Sequence, residues 1–265
     1  MKRIDPKRSG ILKALAGAAL LISMFAATPA HATVIISDNF DSGTAGTALN
    51  GAAVQYYDSA SYGSAPTWYG SAGTIYSATT AGVISSATNA TTILGLVSVT
   101  DQSSGVMTLQ ADVRVGSSSW VGLGFLNGTN WFGTNNTVFS ILNGGGYVTT
   151  QKNGSTAVGT SAAYTGFVGT NTYTLKLVYD LDASTIKTYV NGTQMSSYVL
   201  TGLNSSVINQ LGFRIFNEGS AIADSGRIDN FIYDYAAVPE PSTFALFAGA
   251  GLMGLVLNRR RSARL

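Results

Sequence analysis

Residues 107–115 alternate without a break. Met107, Leu109, Ala111, Val113 and Val115 fall on one face, and Thr108, Gln110, Asp112 and Arg114 on the other. A period of two places apolar groups on one side of an extended chain only, so this stretch is a half-buried strand and cannot be an amphipathic helix. The pattern returns at Tyr173, Leu175, Leu177 and Tyr179, which alternate with Thr174, Lys176 and Val178. After the acidic turn Asp180–Ser184, Ile186–Val190 runs back, Asn191-Gly192 predicts a two-residue hairpin turn of the I′ kind, and Gln194–Leu200 continues. Asn-Gly also occurs at Asn50, Asn127, Asn143 and Asn153, so local chemistry asks for tight reversals repeatedly. Further strands are expected at Thr33–Phe40, Trp120–Leu126, Val138–Leu142, Tyr147–Gln151, Leu211–Asn217 and Arg227–Tyr235. With no helical pattern of ten residues in the body and no fixed repeat, the expected fold is an all-β antiparallel jelly-roll sandwich.

The ends of the 265-residue chain read differently. Lys2, Arg3, Lys7, Arg8 and Lys13 precede an apolar stretch from Ala14 to Ala27, then Pro29 and the small residues Ala30 and Ala32. That order is a secretory signal peptide spanning 1–32, cut by signal peptidase after Ala32, with the body following at 33–237. The segment 238–265 holds Val238-Pro239-Glu240-Pro241, an uncharged stretch Phe244–Leu257, and Arg259, Arg260 and Arg261. The prolines end any strand. The apolar stretch predicts a short transmembrane helix, and the arginines form a stop that would stay on the cytoplasmic side. Between Thr33 and Val238, six basic residues face eleven acidic ones, a net charge of −5 against +2 for the whole chain. An acidic body repels phosphate backbones, which argues against nucleic acid as a partner.

The chain has no cysteine, and its one histidine, His31, lies in the signal segment. The body therefore has no disulfides, no Ser-His or Cys-His nucleophile and no zinc site of His or Cys. Its only glutamates beyond the signal are Glu218 and Glu240, the latter inside the Pro-Glu-Pro tripeptide.

The three-part tail resembles the PEP-CTERM sorting signal of exopolysaccharide-producing Gram-negative bacteria. The resemblance implies processing by an exosortase, a membrane peptidase-transferase, then delivery to the cell surface or extracellular matrix, within a biofilm. The body resembles the concanavalin A-like, laminin-G-like sandwich through Asp38-Asn39-Phe40-Asp41, the hairpin Tyr173–Tyr189 ending at Asn191-Gly192, and Arg227–Tyr233. That fold implies that the first and last strands lie side by side. It also hosts glycosidases, whose usual paired glutamates flanking an aspartate are missing here. Asp180 and Asp182 read instead as an acidic turn.

Exopolysaccharide binding without catalysis is the expected function. The alternatives are a glycoside hydrolase or lyase of the same fold, or an ice-binding protein, whose regular Thr-x-Thr ladders are absent. Sugar rings stack their C–H faces on aromatics. The candidates are Trp68 and Tyr69 after Pro66, Trp131 and Phe132 in the Asn127–Gly133 loop, and Tyr56 and Tyr57. The loop setting of Trp131 suits a binding ring or a core ring equally, and Trp68 reads the same way. Trp120, heading an apolar strand, is expected in the core. No cofactor is required. Calcium, which takes oxygen ligands alone, would draw on Asp38, Asp41 and Asp224, with Asp58 as a further candidate.

Overall fold

The computed structural model describes residues 32–77, 84–86, 92–131, 138–203, 207–217 and 226–237, and every regular element among them is a strand. The predicted signal segment 1–31 and the predicted membrane helix lie outside the described residues. Numbered in chain order, the strands build two antiparallel sheets. The first runs β15 (Thr193–Val199), β14 (Thr185–Val190), β13 (Thr172–Asp180), β7 (Val106–Arg114), β17 (Arg227–Ala236), β1 (Thr33–Asp38) and β2 (Tyr56–Tyr57). The short β4 (Thr74–Tyr76) and β5 (Ile84–Ser86) extend it from β17. The second runs β11 (Thr156–Ala157), β10 (Tyr147–Lys152), β9 (Val138–Asn143), β8 (Ser119–Leu126), β16 (Ile208–Asn217), β6 (Thr92–Gln102) and β3 (Trp68–Gly70), with β12 (Ala162–Ala163) beside β10.

The alternation of residues 107–115 sets the core. Met107, Leu109, Ala111 and Val113 point inward and are wholly enclosed, meeting the inward rows of the second sheet: Val121, Leu123 and Phe125, and Leu211, Phe213 and Ile215. The expected neighbourhood of the first and last strands is realised, since β1 pairs with β17 and Asp38 lies opposite Phe231. Asn191 and Gly192 both take positive φ, 48° and 77°, and the pair Val190–Thr193 closes over them, which is the I′ hairpin. The turn acids cap backbone: Asp180 accepts from the Ala183 amide and Asp182 from the Gly105 amide.

Toward the β10–β15 side the core turns polar. Ser140 and Thr150 of the second sheet meet Thr188 and Ser196 of the first, with Ser140 Oγ 2.7 Å from Thr188 Oγ1 and 2.9 Å from Thr150 Oγ1. Hydroxyls satisfy one another there, so the sheets stay joined without an unpaired buried polar group. Near β6 the sheet depends on a missing side chain. A Cβ at Gly95 would stand 2.4 Å from the Phe213 ring, so only glycine admits that ring.

Candidate functional site

The structure relocates the tryptophans. Trp68 leaves its loop setting for the core, 1% exposed, where its ring centroid lies 5.1 Å from Phe231, 5.5 Å from Phe40 and 5.6 Å from Phe213. Its indole N–H donates to Asp38 Oδ2 at 2.7 Å. Trp131, also 1% exposed, closes a small second core of Leu96, Leu126 and Phe139 on the outside of the second sheet, its ring seated over Gly124. Both are therefore corrected from ring-stacking candidates to packed residues, because hydrophobic burial of an indole outweighs the loop context around it. Phe132 lies outside the described residues. Tyr69 keeps its place as a candidate, half exposed on β3, and Tyr56 is exposed on β2.

Trp120 moves the opposite way. Val121, Leu123 and Phe125 take the inward phase of β8, so Trp120 stands on the outer face and is only partly buried. It lies opposite Phe216 in the pairing of β8 with β16. The two rings stack at 5.6 Å with 12° between planes, and the Arg214 guanidinium carbon sits 5.6 Å from the Trp120 ring centroid. A guanidinium over an indole face is a favourable cation–π arrangement. Burial lowers the Arg214 pKa to about 10, which still leaves it charged at neutral pH. Opposite Arg214 on β8 is Gly122, where an added Cβ would touch both Trp120 and Ile141 at 3.7 Å. Tyr69, opposite Leu96, shares this outer face on the edge strand. Strand and residue spacings put Tyr69 roughly 20 Å from Trp120, beyond the reach of a single sugar ring.

The outer face of the first sheet carries a cleft of about 390 Å³ whose polar lining includes Asp112, Arg114, Thr172, Arg227, Asp229 and Asn230. Asp112 is fixed from two sides: Thr174 Oγ1 donates to Oδ1 at 2.8 Å, and Asn230 Nδ2 to Oδ2 at 2.9 Å. Asn230 reaches it from a left-handed backbone (φ 47°) within the irregularity between Asp229 and Ile232. Burial, and then the charges of Asp41, Asp112 and Asp38, push the Asp229 carboxyl up to about 6 from the ordinary 3.8. Burial likewise raises Asp38 and Asp234.

These shifts carry an unusual sign. A carboxyl with a folded-state pKa above its unfolded value stabilises the fold while protonated. The contribution is complete below about pH 4 and lost as pH climbs past about 6. Thermal melts between pH 7.5 and 5 should therefore show stability rising toward acid, with Asp229 supplying on the order of 1 kcal/mol after allowance for its partial exposure. Asp229→Asn should flatten that slope, and an unchanged slope would dismiss the assignment.

Three of the calcium candidates, Asp38, Asp41 and Asp58, lie among the described residues. Asp38 is enclosed, its oxygens accepting from Trp68 and from the Phe40 amide. Asp41 is exposed, Asp58 caps the Ala60 amide and the Ser61 hydroxyl, and Asp224 lies outside the described residues. Among the described residues no group of three or more acidic side chains gathers to hold a metal.

Several solved structures share a loose likeness with the chain. A carbohydrate binding module, CBM66 from Bacillus subtilis, is 14% identical with a TM-score of 0.42, covering 54% of this chain and 81% of its own. The potassium-bound carbohydrate recognition domain of Emp46p is 15% identical with a TM-score of 0.48, covering 74% and 100%. A galectin-like protein of unknown function from Bacillus subtilis is 13% identical with a TM-score of 0.47, covering 65% and 90%. Likenesses of this order say nothing of what this chain binds. No curated protein matches it. Residues 237–261, however, match the PEP-CTERM protein-sorting motif, and with it the chain is an exported protein sorted to the cell envelope.

Proposed function

We propose that the body is a non-enzymatic, polysaccharide-binding sandwich displayed at the cell surface or in the extracellular matrix after signal-peptidase and exosortase processing. The observation that carries this reading is the outer face of the second sheet, where Trp120 stacks on Phe216 beneath Arg214, with Tyr69 on the edge strand. Indole and phenyl faces accept the C–H side of a sugar ring, and the Arg214 guanidinium sets a fixed positive charge beside them. The distance between Tyr69 and Trp120 suits an extended oligosaccharide better than a monosaccharide.

Catalysis has little support in the residues. The body holds no histidine or cysteine, and both oxygens of Asp112, the carboxylate opposite Asp229, are occupied by Thr174 and Asn230. A glycosidase nucleophile has to be free to attack. Release of reducing ends from a retained glycan would overturn the non-enzymatic reading.

The binding test uses full-length protein in detergent on immobilised exopolysaccharide from the producing cell. Retention is expected, and Trp120→Ala combined with Tyr69→Ala should weaken it roughly tenfold, the loss of about 1.5 kcal/mol of ring stacking. Unimpaired retention of a doubly substituted protein that melts as a folded chain would move the site elsewhere.

A further inference from the structure

The strands at the rims of the two sheets are unequal. Among the described residues β2, β3, β4, β11 and β12 are two or three residues long, whereas β15 has seven. An edge strand presents unpaired N–H and C=O groups, and proteins blunt such edges with short strands, prolines or charges. Thr193–Val199 has neither proline nor charge. The direction of its backbone groups follows from two hydrogen bonds. The Leu200 amide donates to the Ser184 carbonyl, in register with the pairs Ile186–Tyr198 and Thr188–Ser196, so Leu200, Tyr198 and Ser196 bond toward β14. The Asn191 amide donates to the Thr174 carbonyl, which makes Thr185, Lys187 and Tyr189 the residues bonded to β13 and gives the same phase. Ser197 and Val199 therefore aim their N–H and C=O groups away from the sheet. Among the described residues nothing bonds to them there, and Val199 is 66% exposed. Toward the turn, Met195 is the extra residue of a bulge between the pairs Thr188–Ser196 and Tyr189–Gln194. The regular part of the edge is Ser196–Val199.

We propose that β15 is a self-association edge, pairing antiparallel with β15 of a second copy so that the first sheet continues through both molecules. Charge and symmetry select this occupant. No charged residue lies between Lys152 and Lys176, or between Lys187 and Arg214. The first of these stretches packs beside β15, where the Tyr198 hydroxyl donates to the Thr160 carbonyl. The body carries a net charge of −5, so two copies repel in most orientations, and this uncharged side is where they meet with least repulsion. A strongly charged partner would find no counter-charge on it. Antiparallel pairing about a two-fold axis is self-complementary. With the axis at Tyr198, Ser197 of each copy lies opposite Val199 of the other, and each such pair exchanges two hydrogen bonds. The outward donors and acceptors of both chains are then satisfied, and Val199 is covered. Trp120 and Phe216 stand on the other sheet, so glycan binding there neither requires this pairing nor prevents it.

The test is sedimentation equilibrium of the full-length protein in detergent over a range of concentrations. So small an interface should give a monomer–dimer Kd on the order of 10–100 µM. Ser197→Pro deletes an outward N–H, at the kind of edge position where proline is tolerated, and leaves the bonds to β14 in place. It should weaken association about tenfold or more with little change in melting. A charge pair tests the register and separates β15 from any association of the apolar tails. Ser197→Lys and Val199→Glu should each weaken the dimer, and an equimolar mixture of the two variants should restore it as a heterodimer, because the new charges face each other across the axis. Residue-resolved hydrogen exchange gives a readout without substitution. The Ser197 and Val199 amides should become protected as concentration rises, while those of Tyr198 and Leu200 are protected throughout. A chain that stays monomeric at roughly tenfold above that Kd, a dimer untouched by Ser197→Pro, or a mixture no more associated than its components overturns the proposal.

Discussion

Trp68→Phe is expected to cost about 3 kcal/mol of stability, and Trp68→Ala about 5 kcal/mol, although Trp68 sits on a three-residue strand. Two losses add. The first is volume: the indole fills the space between Phe40, Phe213 and Phe231, and a smaller residue leaves a cavity among side chains that pack at crystal-like density. The second is electrostatic. Asp38 is 1% exposed, and burial already raises its pKa against the pull of the Trp68 and Phe40 donors. Removing the indole N–H takes the side-chain donor from a buried carboxylate that keeps only backbone donors, and a lost partner costs about 1–3 kcal/mol for a neutral group and more for a charged one. For a body of this size the phenylalanine variant should melt roughly 10 °C lower. Two further readouts separate the terms. The deficit should shrink in acid, where Asp38 can protonate, and Asp38→Asn should couple non-additively to Trp68→Phe. Trp131 provides the contrast. Its indole N–H has no hydrogen-bond partner among the described residues, so Trp131→Phe forfeits volume only and should cost less than Trp68→Phe. Equal losses at the two sites, or an additive double variant, would show that the Asp38 bond contributes nothing.

Legibility in the sequence follows from where one physical signal suffices. The strict alternation of residues 107–115 fixed a half-buried strand because each odd residue had to enter a single core, and Met107, Leu109, Ala111 and Val113 do. Strand β6 escaped the same test. Both of its faces are covered: Ile93, Val97 and Val99 enter the main core while Leu96 enters the outer one, with Leu94 packed beside it, so Ile93-Leu94-Gly95-Leu96-Val97 shows no period. Trp68 and Trp131 stayed open between binding and core because loop context describes the backbone, whereas burial is decided by what the fold brings on top. For Trp120 a readable signal did exist. Its phase along β8 is shared with Gly122 and Gly124, and an apolar strand that spends glycines on one phase is not burying that phase in its main core. The cleft required register. Arg114 and Asp112 were already on the polar phase of their strand, but nothing local says that Arg227 and Asp229 lie opposite them, because a shift between Asp229 and Ile232 intervenes. Long-range pairing of this kind is invisible to short-range pattern.

Replacing Pro239, Glu240 and Pro241 together by alanine is expected to abolish maturation while leaving the sandwich folded. The second half follows from the topology. The last strand is held to Ala236, which pairs with Val106, and Tyr235 donates its hydroxyl hydrogen to the Ser104 carbonyl. The strand is complete before the motif begins, so the substitutions alter none of its residues. The first half follows from the chemistry of the tail. Two prolines separated by one residue remove two amide donors and hold the chain extended, a form that a peptidase cleft can read and a strand or helix cannot offer. Alanines give up that constraint and favour a helix continuous with the apolar run Phe244–Leu257. The variant should accumulate in the membrane with its arginines attached, whereas the natural protein should appear in surface or matrix fractions without them. Intact-mass analysis reads both: the natural chain should lack Arg259–Arg261, and the variant should end at Leu265. A natural protein that keeps Leu265, or a variant trimmed as efficiently as its parent, would mean that the prolines do not direct processing. Substituting Arg259–Arg261 alone separates anchoring from recognition. That change should let the tail slip through the membrane while leaving the Pro-Glu-Pro segment intact, so the chain would escape uncut with its C-terminus entire.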